Sequence, residues 1–324
     1  MQSQKRARPF LYISMWLLVI LITCVVLTAA WASDDQPAEY ETLRGQLEEA
    51  YKSGNYETAL EIAEEMNTLV ETRHYETLYD IACLYSLLGN KVKAYEYLQK
   101  AVDAGFWNHR QMRQDKDFEN LWEEPRFKKL LRGAWSKGYI AMLEREERDE
   151  FQKPEEVMKA LELKPGERVA DIGAGSGYFT IRVAKAVEPA GKVWATDISD
   201  EMLDYIEKRL QSEQLENVEL VKVSRDDPQL PASGVDMILM VDTYHYIQEL
   251  TEYAKKLRAG LAPGGRLVVI DFIPKPWEER PWGPPPQQHL SKETLSADLA
   301  KAGFKPAKEY DFLPKQFFIV YGVE

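Results

Sequence analysis

The first feature of this sequence that could do chemistry is a glycine-rich loop with an acid just before it. The apolar run VADI contains Asp171 and leads into glycines at alternate positions, Gly173, Gly175 and Gly177. Because glycine has no Cβ, a ligand can press closely against the backbone amides of such a loop. An amphipathic stretch follows, so we expect a strand, a tight turn and the N-terminus of a helix. The loop is therefore a candidate ligand-binding site.

A second acid, Asp197, ends the next apolar run, twenty residues after Gly177. A carboxylate there can accept hydrogen bonds from both hydroxyls of a ribose, and charged hydrogen bonds contribute ~1.5–3 kcal/mol each. Ile198 would then pack on the face of an adenine. The alternative is that Asp197 caps the helix that begins near Glu201. Beside the glycine loop, the nucleoside interpretation is favoured.

The glycine spacing separates three kinds of nucleotide site. Dinucleotide-binding loops have the pattern G-x-G-x-x-G, but Tyr178 stands where the third glycine would be, and the G-K-[ST] of a phosphate-binding loop is missing. An NAD-linked oxidoreductase is therefore disfavoured. The pattern DIGAGSG, with Asp197 on the next strand, resembles the S-adenosylmethionine loop of class I methyltransferases. This resemblance implies that Asp171 meets the positively charged amino-acid end of that cofactor.

The resemblance covers roughly residues 145–323, starting from an R-x-x-R-D-x-F-Q-x-P pattern at Arg145. Methyltransferases of this kind often place an acid after the third strand to hold the adenine amino group. Asp226 or Asp227 could serve here, although the position that usually carries the acid falls on Ser224. The cofactor motifs are specific, whereas no motif identifies the acceptor.

The turn after the fourth predicted strand carries the candidate catalytic residues Asp242, Tyr244 and His245. The resemblance implies that this turn faces the reactive methyl group and the substrate, and Tyr244-His245 resembles an aromatic–histidine pair of many small-molecule methyltransferases. Histidine has an unperturbed pKa of ~6.5, so His245 could act as a general base. The alternative is a satisfied, partly buried histidine beside the cofactor. Asp242 is the better candidate for contacting cofactor or substrate.

Strands and helices alternate along the C-terminal half of the chain, which predicts an α/β fold with a doubly wound, mostly parallel Rossmann-like sheet. Ligands of such sheets bind at the carboxyl ends of the strands. The chain closes with two apolar runs joined by Leu-Pro-Lys, which predict an antiparallel hairpin, as in class I methyltransferases. The predicted strands are 168–172, 192–196, 218–223, 235–241, 266–272, 305–312 and 316–323, and the predicted helices are 178–187, 200–211, 247–261 and 292–302.

Residues 38–135 predict an all-α helical-repeat domain. Gly54-Asn55 and Gly89-Asn90 lie 35 residues apart, each flanked by helical patterns, and this period resembles tetratricopeptide repeats. Two repeats are few, so we expect a capping tail that buries Phe118, Leu121, Trp122 and Phe127. The repeats form either a groove for a protein partner or a packed helical spacer. A charged linker helix over 136–153 would separate them from the methyltransferase domain at 154–324.

Residues 1–33 predict a signal anchor or a signal peptide. Three basic residues precede an uncharged run, and only acids follow it, which places the N-terminus in the cytoplasm. The run is long enough to span a bilayer, so we favour a single-pass membrane anchor with the later domains on the extracytoplasmic, periplasmic side. The alternative is export after cleavage at the Ala-Trp-Ala signal. Either topology conflicts with a cofactor that is made in the cytoplasm.

The composition excludes several other functions. The net charge of −12, without a basic stripe, argues against a nucleic-acid partner. Two cysteines and four scattered histidines show no metal-ligand spacing. The sequence therefore predicts methyl transfer from S-adenosylmethionine to a small-molecule acceptor by a membrane-anchored protein. The alternative is a catalytically silent binding protein of the same fold that recruits partners through its repeats.

Overall fold

The computed structural model describes residues 38–69, 74–276, 284–285 and 288–323. The predicted leader at 1–33 and most of the proline-rich segment after the fifth strand lie outside these residues. Within them, no helix combines the length and the apolar character needed to cross a bilayer. The chain divides into two compact units. The first comprises the described residues up to 106 together with 111–130, and the second comprises 107–110 and the described residues from 131 onward.

The first unit is built of helices whose ends follow the predicted punctuation. Gly54 and Gly89 both adopt φ = 76°, the left-handed conformation that ends a helix at little cost for glycine. Ala59 and Ala94 on the following helices are fully buried, so those helices pack closely in the way the pattern predicts. The helices within this unit are α1 (Ala38–Lys52), α2 (Tyr56–Leu69), α3 (His74–Leu87) and α4 (Lys91–Ala104). Two further helices, α5 (His109–Gln114) and α6 (Pro125–Leu143), cross the division between the units, and residues 109–110 and 131–143 belong to the second unit.

The predicted capping tail lies in this first unit and supplies much of its apolar core. Phe118, Leu121 and Phe127 are fully buried, whereas Trp122 is only partly buried. The ring of Phe118 packs 5.7 Å from Phe127 and 5.5 Å from Tyr79. The tail therefore covers apolar helix surface that two helix pairs alone would leave exposed. Assignment of these helices to the tetratricopeptide class stays a prediction.

The second unit contains a seven-stranded sheet in the order β3-β2-β1-β4-β5-β7-β6. All neighbouring strands from β3 to β5 are parallel, and β7 pairs antiparallel with both β5 and β6. The predicted parallel sheet with a closing hairpin is confirmed. The strands are β1 (Arg168–Ile172), β2 (Lys192–Asp197), β3 (Val218–Lys222), β4 (Val235–Val241), β5 (Leu261–Phe272), β6 (Phe304–Tyr310) and β7 (Gln316–Val323).

Helices cover both faces of this sheet, and the alternating side chains of its central strands fill two apolar cores. On β4, Met237, Leu239 and Val241 face one core, while Ile238 and Met240 face the other. Burial on both faces explains why these strands are continuous apolar runs. The helices are α7 (Glu147–Gln152), α8 (Pro154–Leu161), α9 (Tyr178–Val187), α10 (Asp200–Glu213), α11 (Leu250–Gly260) and α12 (Lys292–Lys301).

Several boundaries differ from the sequence prediction by one to three residues, and two differences are larger. Strand β5 begins at Leu261 and not at Arg266, because Leu261 pairs with Val235 across a register shift in β4. The predicted linker helix over 136–153 is interrupted between α6 and α7, and its residues belong to the second unit. Its charged residues bind within this unit: Arg209 Nη1 lies 2.8 Å from a carboxylate oxygen of Glu144. The charge run that suggested a solvated linker is therefore partly buried.

The buried core of the second unit can be tested with a pair of methionines. Met240 is fully buried on β4, whereas Met142 on α6 is 44% exposed. We expect Met240→Ala to lower the free energy of unfolding of the second unit by ~2–5 kcal/mol, since the substitution leaves a cavity. Met142→Ala removes the same atoms from the surface and should change it by less than about 0.5 kcal/mol. Guanidinium denaturation followed by circular dichroism measures both, and equal effects would contradict the described packing.

Candidate active site

A cavity of about 630 Å³ opens at the carboxyl ends of β1, β2 and β4 in the second unit. This volume lies in the range of small-molecule sites, and its place at the reversal of strand order is where doubly wound sheets bind ligands. The predicted residues that line it are Asp171, Gly173, Gly175, Asp197, Ile198 and Asp242.

The glycine loop is fastened to the end of β2. The amides of Gly173 and Ala174 both donate to the carbonyl oxygen of Thr196 at 2.9 Å, and the amide of Gly175 donates to Oδ2 of Asp197 at 2.9 Å. Gly173 and Gly175 have φ of 72° and 57°, values that glycine adopts without strain. The sequence pattern of alternate glycines therefore produces a tight turn whose shape depends on β2.

Asp197 is held between two backbone amides. Its Oδ1 accepts from the amide of Ser199 and its Oδ2 from that of Gly175, each at 2.9 Å. Burial raises the pKa of Asp197, and these backbone hydrogen bonds oppose the shift. Ser199, and not Asp197, caps helix α10 with its side chain. The carboxylate keeps lone pairs for ligand hydroxyls, and the neighbouring Ile198 is 46% exposed on the cavity wall.

Asp171 is the most enclosed acid of the glycine loop. Its side chain accepts a hydrogen bond of 2.6 Å from the hydroxyl of Thr180, on helix α9. Burial raises the pKa of Asp171 to about 6; the Thr180 hydrogen bond and the charge of Arg148 oppose the rise, and Asp197 adds to it. A cationic ligand group beside Asp171 would stabilise the ionised carboxylate.

Arg148 brings a buried positive charge to this acidic cavity. Its Nη1 donates to the carbonyl oxygen of Leu143 at 2.9 Å, and its guanidinium lies 3.9 Å from the centroid of the Tyr178 ring. Burial lowers its pKa, whereas the charge of Asp242 opposes this shift. The sequence placed Arg148 in the pattern before β1 but did not predict it as a site residue, because a charge run usually forms a solvated face.

Asp242 stands at the end of β4 in a conformation that is unusual for a residue with a side chain. Its φ is +52°, and its Oδ1 accepts a hydrogen bond of 2.6 Å from Nε2 of Gln316. Gln316 is held in turn by Gln152, whose Nε2 donates to it at 3.0 Å. Burial raises the pKa of Asp242, and the nearby Asp271 adds to this shift. Backbone strain and a proton-accepting group occur together at this position.

The other two predicted catalytic residues lie behind the cavity wall. Tyr244 is fully buried in the core against the β4–β5 face of the sheet and does not line the cavity. His245 is also absent from the lining: its Nδ1 lies 2.7 Å from Asp271, and its Nε2 is buried without a hydrogen-bond partner in the described part of the chain. The short 3₁₀ turn over Tyr244–Tyr246 turns these side chains inward and presents Tyr246 to the cavity.

Two predicted cofactor residues are also placed differently. Asp226 is exposed and accepts a hydrogen bond of 2.6 Å from the hydroxyl of Ser224, so it does not line the cavity, while Ser224 and Arg225 do. Gly177 lies behind the loop at the start of α9, where an added Cβ would come within 3.0 Å of Ile206. Its role is to let the helix pack closely.

Possible metal ligands lie elsewhere among the described residues. Cys83, Asp115 and Asp117 of the first unit approach one another within 4.8 Å, and none of them lines the cavity. The hydroxyls of Tyr79 and Tyr51 already donate to the two carboxylates at 2.8 and 2.7 Å. These hydrogen bonds stabilise the two partly buried acids without a metal ion.

The raised pKa of Asp171 predicts a pH-dependent stability. An unfolded aspartate titrates near 3.9, so the folded state binds the extra proton, and stability is lost as pH rises from about 4 to above 6. Asp171→Asn should therefore match the wild type near pH 4 and exceed its free energy of unfolding by roughly 2–3 kcal/mol at pH 8. Exposed Asp204→Asn is the control. Denaturant titrations at both pH values would contradict the assignment if the advantage of the Asp171→Asn variant did not grow with pH.

The comparisons with known proteins agree with this geometry. Residues 170–267 match the family model described as a methyltransferase domain. The crystal structure of a SAM-dependent methyltransferase from Aquifex aeolicus is similar with a TM-score of 0.54 and 29% sequence identity, over 58% of this chain and 98% of that one.

Curated relatives are methyltransferases whose names give different acceptors. Demethylmenaquinone methyltransferase of Geobacillus sp. (strain WCH70) is 26% identical over 117 residues, which are 36% of this chain and 50% of that protein. Protein-L-isoaspartate O-methyltransferase of Aeropyrum pernix is 33% identical over 116 residues, 35% of this chain and 42% of that protein. The chain spans about half the length of these relatives, or less. The second unit thus contains a class I methyltransferase domain, and its family and fold imply S-adenosylmethionine as the cofactor.

Proposed function

We propose that the second unit binds S-adenosylmethionine and transfers its methyl group to a small-molecule acceptor. The observation that carries this proposal is the pairing of the glycine loop with Asp197, whose carboxylate joins the amides of Gly175 and Ser199 at the cavity wall. The carboxylate of Asp197 keeps lone pairs that can accept hydrogen bonds from ribose hydroxyls. The glycines have no Cβ, so a ligand can lie against the backbone of the loop. This arrangement therefore fits the ribose of a nucleoside.

The charges of the cavity fit the same cofactor. Asp171, Asp197 and Asp242 line it, and Arg148 is the buried cation among the described lining residues. The cofactor has an ammonium, a sulfonium and one carboxylate, so it would bring a net positive charge to an acidic site. Asp171 would hold the ammonium, Arg148 the carboxylate, and Asp197 the ribose, with Ile198 against the adenine.

When bound, the cofactor supplies an electrophilic methyl group on a positively charged sulfur. The chain's own contribution is to hold the acceptor in line and to receive its proton. Orientation alone can provide up to ~7–11 kcal/mol of the barrier. Asp242 is the lining group suited to take a proton, because burial raises its pKa toward the neutral range and Gln316 fixes its position. His245, the other predicted base, does not line the cavity, so it would not contact the acceptor directly.

We further infer that the first unit recruits a protein partner through tetratricopeptide-like helices, and that the leader anchors the protein at a membrane. Support for the first inference is the repeated Gly-Asn punctuation at Gly54 and Gly89, and support for the second is the charge pattern around residues 1–33. On this proposal the methyltransferase domain lies on the periplasmic side. A fusion-reporter map of the C-terminus would test it, and a cytoplasmic reporter signal would reverse it.

The cofactor proposal is tested by isothermal titration of the purified full-length chain with S-adenosylmethionine. We expect Asp197→Asn to weaken binding by about 10- to 100-fold, since it removes a charged acceptor of ribose hydrogen bonds. Asp204→Asn is the matched control, because Asp204 is exposed on the following helix α10 and does not line the cavity. No binding by the wild-type chain would refute the proposal.

The glycine loop gives a second, independent test. Gly173 and Gly264 have similar positive φ values, 72° and 77°, so alanine strains both. An added Cβ at Gly173 would lie 2.5 Å from the side chain of Thr243, whereas at Gly264 it meets nothing within 4 Å. We expect Gly173→Ala to weaken cofactor binding at least about tenfold and Gly264→Ala to leave it unchanged. Equal affinities would show that the loop does not bind the cofactor.

A further inference from the structure

An aromatic wall, formed by Trp135, Tyr139 and Tyr246, lines the cavity beyond the residues assigned to the cofactor. The rings of Trp135 and Tyr139 stack with centroids 5.1 Å apart and planes 14° apart. Trp135 is 40% exposed and Tyr246 is 41% exposed, which is unusual for large aromatic side chains in a concave site. The adenine of the cofactor would cover Ile198, which is also exposed in the cavity. No part of the cofactor is assigned to the aromatic wall.

The aromatic wall shares the cavity with Asp242. Asp242 comes two residues before the 3₁₀ turn that carries Tyr246, and the side chains of Tyr139 and Tyr246 are hydrogen-bonded to each other. Burial raises the pKa of both tyrosines, and the charge of Asp242 adds to each shift. A flat ring laid against the aromatic wall would therefore direct its edge toward Asp242. Offset stacking of this kind favours planar aromatic ligands over saturated ones.

Charges beside the aromatic wall restrict the ligand further. Beside Tyr139 and Tyr246, the charge of Asp242 repels a carboxylate or a phosphate of an acceptor. Near Tyr246, the charge of Arg225 acts on the hydroxyl, and Arg225 makes no hydrogen bond or ion pair with any residue in the described ranges. This guanidinium repels an ammonium group. An uncharged ligand is favoured over an ion of either sign.

We propose that the aromatic wall is the acceptor subsite and that it takes an uncharged aromatic compound bearing a hydroxyl group. This inference rests on the proposed function. The hydroxyl oxygen would form a bond to the methyl carbon of S-adenosylmethionine while the carbon–sulfur bond breaks. The sulfur keeps the electron pair of that bond as a neutral thioether, and the hydroxyl proton passes to the carboxylate of Asp242.

The test uses the purified full-length chain saturated with S-adenosylhomocysteine, whose binding is first measured by itself. Four bicyclic probes are then titrated calorimetrically: 2-naphthol, its saturated counterpart 2-decalol, the anion 2-naphthoate and the cation 2-naphthylmethylammonium. We expect 2-naphthol to bind at least about tenfold more tightly than each of the other three. If 2-decalol binds as tightly as 2-naphthol, the proposed preference for an aromatic ring is wrong. If either ion binds as tightly, the proposed preference for an uncharged ligand is wrong.

Substitutions locate the binding to the aromatic wall. Trp135→Ala should weaken 2-naphthol at least about fivefold, Trp135→Phe should restore most of the affinity, and both should leave S-adenosylhomocysteine binding within about twofold. Trp107→Ala is the matched control, because Trp107 is 43% exposed in the same unit and does not line the cavity. If Trp135→Ala leaves the affinity for 2-naphthol unchanged while S-adenosylhomocysteine still binds, the proposed acceptor subsite is wrong and the cofactor proposal stands. Loss of S-adenosylhomocysteine binding in the wild type would instead refute the cofactor proposal and this one with it.

Discussion

The burial of carboxylates at one edge of the sheet is the constraint on which the site depends. Asp171, Asp197 and Asp271 are buried there and Asp242 is partly buried, with Arg148 as a buried cation beside them. Burying an unpaired charge is unfavourable, and the chain offsets this mainly with hydrogen bonds from uncharged donors. Such donors stabilise the carboxylates without cancelling their charge. The cavity therefore stays acidic and favours a cationic ligand.

The doubly wound topology explains why these donors can converge. Backbone amides for Asp197 come from the loop after β1 and from the turn after β2, which are neighbours in a parallel sheet. The donor for Asp242 comes from Gln316, the first residue of antiparallel β7. The closing hairpin therefore places the side chain of Gln316 at the carboxyl end of β4. Gln152, 164 residues earlier in the chain, completes this buried amide pair.

Regular patterns in the sequence predicted the sheet well, because apolar runs bounded by glycine and acidic residues leave few alternatives. Strands β1 and β4 and helix α9 have the predicted bounds. The site was predicted where residues stand at or just after the end of a strand, as Asp171, Asp197 and Asp242 do. Arg148 and Tyr139 reach the cavity, and Gln316 reaches Asp242, from distant segments, and no local spacing encodes that convergence. Tyr244 was misplaced because an irregular 3₁₀ turn has no periodicity from which to read the direction of a side chain.

The surroundings of His245 show how fold and chemistry constrain each other. Asp271 accepts from the backbone amide of His245 and lies 2.7 Å from Nδ1, so the hydrogen bonds assign the proton to Nδ1 and leave Nε2 as an acceptor. That acceptor is buried without a partner among the described residues, which costs ~1–3 kcal/mol. Such a cost would disfavour a histidine that served packing alone.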